Sequence, residues 1–162
     1  MFLSAETTAG QQIAFAAANA VCLPFPDETF DAVSSNEIVE HLLDVSAVLD
    51  EMARVTRVGG VIVLRSPALS SPIWPLWDLP KLFRNKGGRP PFYTNLRQAS
   101  AFFVANMART FRIAIQRNPV FEQRQPNLSV PGADYDAVYW SSAIEVARYF
   151  GERGLKILAH AG

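Results

Sequence analysis

The chain has 162 residues, 49% of them apolar, with 15 basic against 15 acidic side chains and a single cysteine, Cys22. Such a composition allows one domain with one core of ordinary size, and the lone cysteine excludes an internal disulfide or a cysteine-rich metal centre. His41 and His160 stand far apart without ligand-like spacing, so no metal site is expected. No long apolar run free of charge or proline occurs, nor a basic segment followed by an apolar stretch at the N-terminus, so no membrane span or signal peptide is expected and the location is read as cytoplasmic.

Gln12 to Ala17 ("QIAFAA") reads as the first strand and Phe30 to Ser34 ("FDAVS") as the second. The spacing of Val48, Leu49, Met52 and Val55 predicts a helix, with Ser46 as its N-cap and Gly59-Gly60 as its stop. Val61 to Arg65 ("VIVLR") is the most β-branched of the predicted strands. Residues 67–93 are rich in proline and carry Trp74, Trp77 and a Gly-Gly, which reads as an ordered aromatic loop. Thr94 to Gln116 then predicts a long helix, with Leu96, Phe103, Met107 and Phe111 on its apolar side and Arg97, Arg109 and Arg112 among its polar positions. "SAIE" (Ser142 to Glu145) is a capping box opening a helix whose apolar side is Ile144, Ala147, Tyr149 and Phe150, ended by Gly154. Leu155 to Ala159 is the fourth predicted strand.

Strands alternating with helices of this length imply the α/β class, a mostly parallel sheet with helices on its faces. Residues 67–131 form an aromatic loop and amphipathic helix inserted in that pattern, an arrangement suited to a lid on the acceptor side of a pocket. Charge is uneven: residues 1–81 hold four Lys/Arg against ten Asp/Glu, and residues 82–162 hold eleven against five. A phosphate loop, a G-x-S-x-G elbow, an H-E-x-x-H pair and a Gly-x-Gly-x-x-Gly loop are all absent from the sequence. Without a recognition motif or net positive charge, nucleic acid is not an expected partner.

Between Leu23 and Pro67 five elements follow in order. They are a Leu-Pro-Phe-x-Asp turn, a Phe-Asp-x-Val strand, a Glu-His pair opening the next helix, Arg-Val-x-Arg-x-Gly-Gly at that helix's end, and an apolar strand closing on Ser-Pro. This run resembles the second half of the class I, Rossmann-like S-adenosylmethionine-dependent methyltransferases, in particular the type 11 group. "YWSSAIEVARYFGERGLKIL" is similar to that family's last helix and strand. The resemblance implies a partial Rossmann-like sheet, S-adenosylmethionine as cofactor and a small-molecule methyl acceptor. It implies cofactor contacts at Asn19 and Ala20, on the adenine side, and at Ser35 and Asn36, beside the methionine portion. Asn19 can accept a hydrogen bond from an exocyclic amine, or can serve only as a turn residue. His41 and Glu40 would line the boundary between donor methyl and acceptor, where a neutral imidazole can take the acceptor's proton or simply bond to nearby backbone. On the lid, Trp74, Trp77, Arg89 and Tyr93 are the candidate acceptor contacts.

The sequence also departs from the family. Eleven residues precede the first predicted strand and the only early glycine is Gly10, too little for the family's opening strand, glycine-rich loop and ribose-binding strand. The expectation is therefore a single, incomplete methyltransferase-like domain over residues 1–162, truncated or split, with a second chain as one source of the missing strands. Deprived of its neighbours, Gln12 to Ala17 is expected to pair with Phe30 to Ser34, to pair with a partner chain, or to be loose. Three functions follow: a shortened methyltransferase, a non-catalytic methyltransferase-like binding subunit, or a Trp74 to Arg117 surface docking on an anionic lipid or phosphorylated acceptor.

Overall fold

The structure, a computed structural model, describes residues 2–6, 12–71, 73, 95–126 and 136–158. The chain divides into two compact units, Met1–Ser34 with Ser46–Val63, and Ser35–Val45 with Leu64–Gly162.

In the first unit, β1 (Phe2–Glu6) and β2 (Gln12–Ala16) form an antiparallel pair, Phe2 opposite Ala16 and Glu6 opposite Gln12. β2 neither pairs with β3 nor is loose. The chain's own N-terminal residues supply the ladder that satisfies its N–H and C=O groups. β3 (Phe30–Asn36) and β4 (Thr56–Arg65) make a second two-stranded sheet. Asp31 pairs with Arg57 near the start of both strands, and Glu37 N–H donates to the Arg65 carbonyl (2.8 Å) at their far ends, so β3 and β4 run parallel. The helix between them, α1 (Val45–Val55), completes a strand–helix–strand unit of the α/β, partial Rossmann-like class.

The four apolar residues that predicted α1, Val48, Leu49, Met52 and Val55, are all buried, and Val45 joins them. Two of its predicted boundaries differ. The helix starts at Val45, so Ser46 lies inside the first turn instead of capping it. It ends at Val55, and Gly59-Gly60 fall within β4. Gly59 takes φ +83°, a backbone angle that strains any side chain, and a Cβ on Gly60 would lie 2.8 Å from the Asp31 carbonyl oxygen. The glycine pair therefore lets β4 bend and approach β3; it does not stop the helix.

The second unit holds α2 (Leu96–Ile115) and α3 (Ala143–Glu152), which touch each other. Asn95 caps α2, its side chain accepting from Gln98 N–H at 2.9 Å. Its buried face is Ala99, Asn106 and Ile113, whereas Leu96, Met107 and Phe111 of the predicted apolar side are 61%, 47% and 67% exposed. Asn106 earns its burial through hydrogen bonds, donating to the Leu69 and Ser71 carbonyls (3.1 and 3.0 Å) and accepting from Arg109 (3.0 Å). Arg109 also pairs with Glu122 at 3.2 Å and lies 4.2 Å from the Trp140 ring centroid. Arg148 of α3 donates to the Ile113 carbonyl at 2.8 Å, satisfying an acceptor in the last turn of α2.

Ser142 caps α3 as predicted, accepting from Glu145 N–H, but the reciprocal half of the box is absent. Ser142 N–H donates to the Tyr139 hydroxyl (3.2 Å), and the Glu145 carboxylate turns inward. Gly154, at φ +80°, ends the helix: its N–H donates to the Gly151 carbonyl and Leu155 N–H to that of Phe150. Residues 155–158 form no strand, and the predicted fifth member of that strand, Ala159, lies outside the described residues. With Leu155 N–H committed to the helix end and Leu158 74% exposed, no neighbouring strand among the described residues is there to pair with.

Candidate active site

In the first unit the Leu-Pro-Phe-x-Asp turn is held by one guanidinium. Arg54 donates to the carbonyls of Leu23 (3.2 Å) and Phe25 (2.9 Å) and to Asp27 (2.7 Å). It also grips both oxygens of Glu51, at 2.7 and 2.8 Å, and Glu51 in turn accepts from Leu23 N–H at 2.7 Å. The turn is thus tied to α1 by a planar fork that Lys cannot reproduce. Phe25 meets Phe30 edge-on, ring centroids 5.0 Å apart.

The Arg54 hydrogen bonds and that from Leu23 hold the Glu51 carboxyl down to about 2, from an ordinary 4.5. A carboxyl depressed on folding contributes stability above its unfolded value, and that contribution is lost as pH falls from about 4.5 through about 2. Thermal unfolding followed between those limits is expected to show this acid loss in the native chain and a flatter curve in Glu51→Gln. Equal slopes for the two would remove Glu51 from the account.

Asn19, at the entry to that turn, is exposed. Its side-chain oxygen accepts from Val21 N–H (3.2 Å) and its carbonyl from Cys22 N–H (3.0 Å). The turn role left open by the sequence is therefore filled, and the side-chain amide N–H groups face solvent. Ala20 is half-buried beside it.

In the second unit the carboxyl end of β3 turns sharply. Ser35 is half-buried and Asn36 exposed; Glu37 then takes φ +55°. Glu40 and His41 do not open α1, as predicted. They sit on a separate 3-10 turn, Val39–His41, ahead of it. His41 N–H donates to the Ile38 carbonyl (2.9 Å), and the Glu40 carbonyl accepts from Val138 and Tyr139 N–H (2.8 and 3.0 Å), which fixes the turn. The Glu40 side chain is wholly buried: Oε2 accepts from Ser66 (2.7 Å), while Oε1 has no hydrogen-bond partner among the described residues. His41, with a side chain 36% exposed, has Nε2 3.8 Å from Glu40 Oε1 and Nδ1 3.7 Å from Asp136 Oδ2. These separations are ion-pair distances, longer than hydrogen bonds.

Ser35 and Asn36 end β3, and Glu40 and His41 follow on the 3-10 turn, where Ser66 meets Glu40 and Asp136 lies beside His41. Ser66 was visible only as the Ser-Pro that closes the apolar strand; Asp136 gave no sequence signal. Trp74, Trp77, Arg89 and Tyr93 lie outside the described residues. Among the described residues no group of three or more His, Cys, Asp or Glu could hold a metal ion, and no helix is long and apolar enough to cross a membrane.

Residues 2–64 match the methyltransferase-domain family. Over that segment, less than half of the chain, the sequence is similar to methyltransferase domains. A demethylmenaquinone methyltransferase of Roseiflexus castenholzii is 36% identical over 103 residues, covering 59% of this chain and 43% of the relative. A protein of the same name from Mycobacterium marinum is 36% identical over 93 residues, 51% of this chain and 39% of it. An uncharacterized methyltransferase of Schizosaccharomyces pombe is 45% identical over 49 residues, 30% of this chain and 18% of it. The chain therefore spans less than half the length of the curated relatives it matches. No solved structure matches it.

Proposed function

We propose that this chain carries acceptor-side residues of an S-adenosylmethionine-dependent methyl transfer to a small-molecule acceptor. The donor, when bound, supplies an electrophilic methyl group on sulfonium sulfur. Ser35 and Asn36, polar and open at the carboxyl end of a parallel strand, fit the donor's methionine portion. Asn19 fits an adenine contact less well, since its side-chain oxygen already serves Val21 N–H, and Ala20 offers backbone only.

With donor and acceptor bound, His41 would take the proton that the acceptor sheds as an electron pair of the acceptor, a lone pair or the π pair of an electron-rich ring carbon, replaces the methyl group's bond to sulfur. Glu40 does not touch the acceptor. Fixed by Ser66, it backs the imidazole from the interior, and Asp136 flanks the other ring nitrogen. Trp74, Trp77, Arg89 and Tyr93 complete the acceptor side in this reading. The observation that carries it is the solvent-reaching His41 backed by a buried carboxylate, just past the strand end of a methyltransferase segment.

Calorimetry with S-adenosylmethionine, followed by a methyl-transfer assay with demethylmenaquinone, the substrate in the relatives' name, tests the proposal. Binding with turnover supports it. A folded chain that takes up no donor supports the second reading, a non-catalytic partner subunit.

A further inference from the structure

One face of α2 is apolar and uncovered. Leu96, Val104, Met107, Phe111 and Ile115 are between 47% and 67% exposed. Spaced by three, four or eight residues, they form a continuous stripe along the 20-residue helix. Its buried residues Ala99, Asn106 and Ile113 line a different side, so the stripe is surplus to the core.

The charges on the helix say what would cover it. α2 contains Arg97, Arg109 and Arg112, followed by Arg117, and not one acidic residue between Leu96 and Ile115. Arg109 and Arg112 both pair with Glu122; Arg97 and Arg117 are exposed with no ion-pair partner among the described residues. A second copy laid across this stripe would set arginine against arginine, whereas an anionic surface would meet opposite charge. An apolar stripe on a helix whose charged residues are all arginine is the pattern of a helix lying in the headgroup layer of a membrane.

We propose that α2 is an interfacial lipid-binding helix, seating Leu96, Val104, Met107, Phe111 and Ile115 among acyl chains with Arg97 and Arg117 at anionic headgroups. This association is peripheral and independent of methyl transfer.

The test is co-sedimentation of the whole chain with vesicles of phosphatidylcholine alone or mixed with phosphatidylglycerol. Retention on the mixed vesicles is expected to exceed that on neutral ones about tenfold and to weaken as salt rises, because headgroup attraction is screened. Phe111→Glu, at an exposed site, is expected to lower retention about tenfold with helicity unchanged, while Val58→Glu, at an 87% exposed position in the other unit, leaves it intact. Arg97→Gln is expected to remove part of the salt-sensitive share. No preference for anionic vesicles, or retention untouched by Phe111→Glu, overturns the proposal. So does a concentration-dependent dimer in sedimentation velocity that Phe111→Glu abolishes, since the stripe would then belong to a second copy.

Discussion

Glu145→Ala is expected to destabilise the chain by about 3–5 kcal/mol, enough to lower its thermal midpoint by roughly 10 °C. The Glu145 side chain is 2% exposed and serves three donors. Oε1 accepts from Val120 and Phe121 N–H at 3.1 and 3.2 Å, and Oε2 from the Tyr139 hydroxyl at 3.1 Å. Truncation takes the protein acceptor from all three, the buried Tyr139 hydroxyl among them. Tyr139, itself fully buried, then has only its acceptor role toward Ser142 N–H.

Phe121 carries a second share of the cost. It takes φ +50°, unfavourable for an aromatic residue, and packs on Tyr139 and Tyr149 at 5.6 and 5.2 Å between ring centroids. Burial and the neighbouring Glu145 charge both raise the Tyr139 hydroxyl well above the ordinary range, so it stays a neutral donor throughout the stable pH range. Glu145→Gln keeps one acceptor oxygen and is expected to cost less than half as much as Glu145→Ala. Denaturant melts of the two variants and of Tyr139→Phe check the ranking; a loss below about 1 kcal/mol for Glu145→Ala would mean that the carboxylate is replaceable by solvent.

What the sequence made legible was local. The α1 core residues, the Ser142 cap and the Gly154 stop are fixed by neighbours within a turn or two, and the structure agrees with each. Three readings needed non-local partners and failed for that reason. β2 was left without a mate because Phe2–Glu6 shows too little alternation to announce a strand, and pairing is decided by register, not by propensity. The face of α2 was misjudged because periodicity finds an apolar side without saying what covers it. The buried side is decided by Asn106, whose partner carbonyls lie 35 and 37 residues away. Leu155 to Leu158 has strand-like residues and no strand beside it.

The candidate site divides the same way. The run from Leu23 to Pro67 carried Ser35, Asn36, Glu40 and His41 by motif, and the structure sets them on the end of β3 and the 3-10 turn that follows. Motif could not show that Glu40 points inward. A Glu-His pair on one helix would present both side chains to a ligand, but on a 3-10 turn pinned by Val138 and Tyr139 one is buried and the other is not. Asp136 arrives from 95 residues downstream of His41 without a motif of its own.

That division of labour sets the last expected result. In a chain that turns over, His41→Gln is expected to lower kcat by about a hundredfold while donor affinity is unchanged, because proton removal is felt only as the methyl transfers. Glu40→Gln keeps an oxygen for Ser66 and puts an amide in place of the carboxyl oxygen that faces the imidazole. It is expected to lower kcat by about tenfold and to leave the fold intact, since backbone hydrogen bonds, not the carboxylate, hold the turn. The two losses should not add: once the imidazole is gone, the group behind it has nothing to orient. A double variant no slower than His41→Gln alone is the signature of one acting through the other. If His41→Gln keeps the full rate, the acceptor loses its proton elsewhere, and the Glu40–His41 pair serves the turn alone.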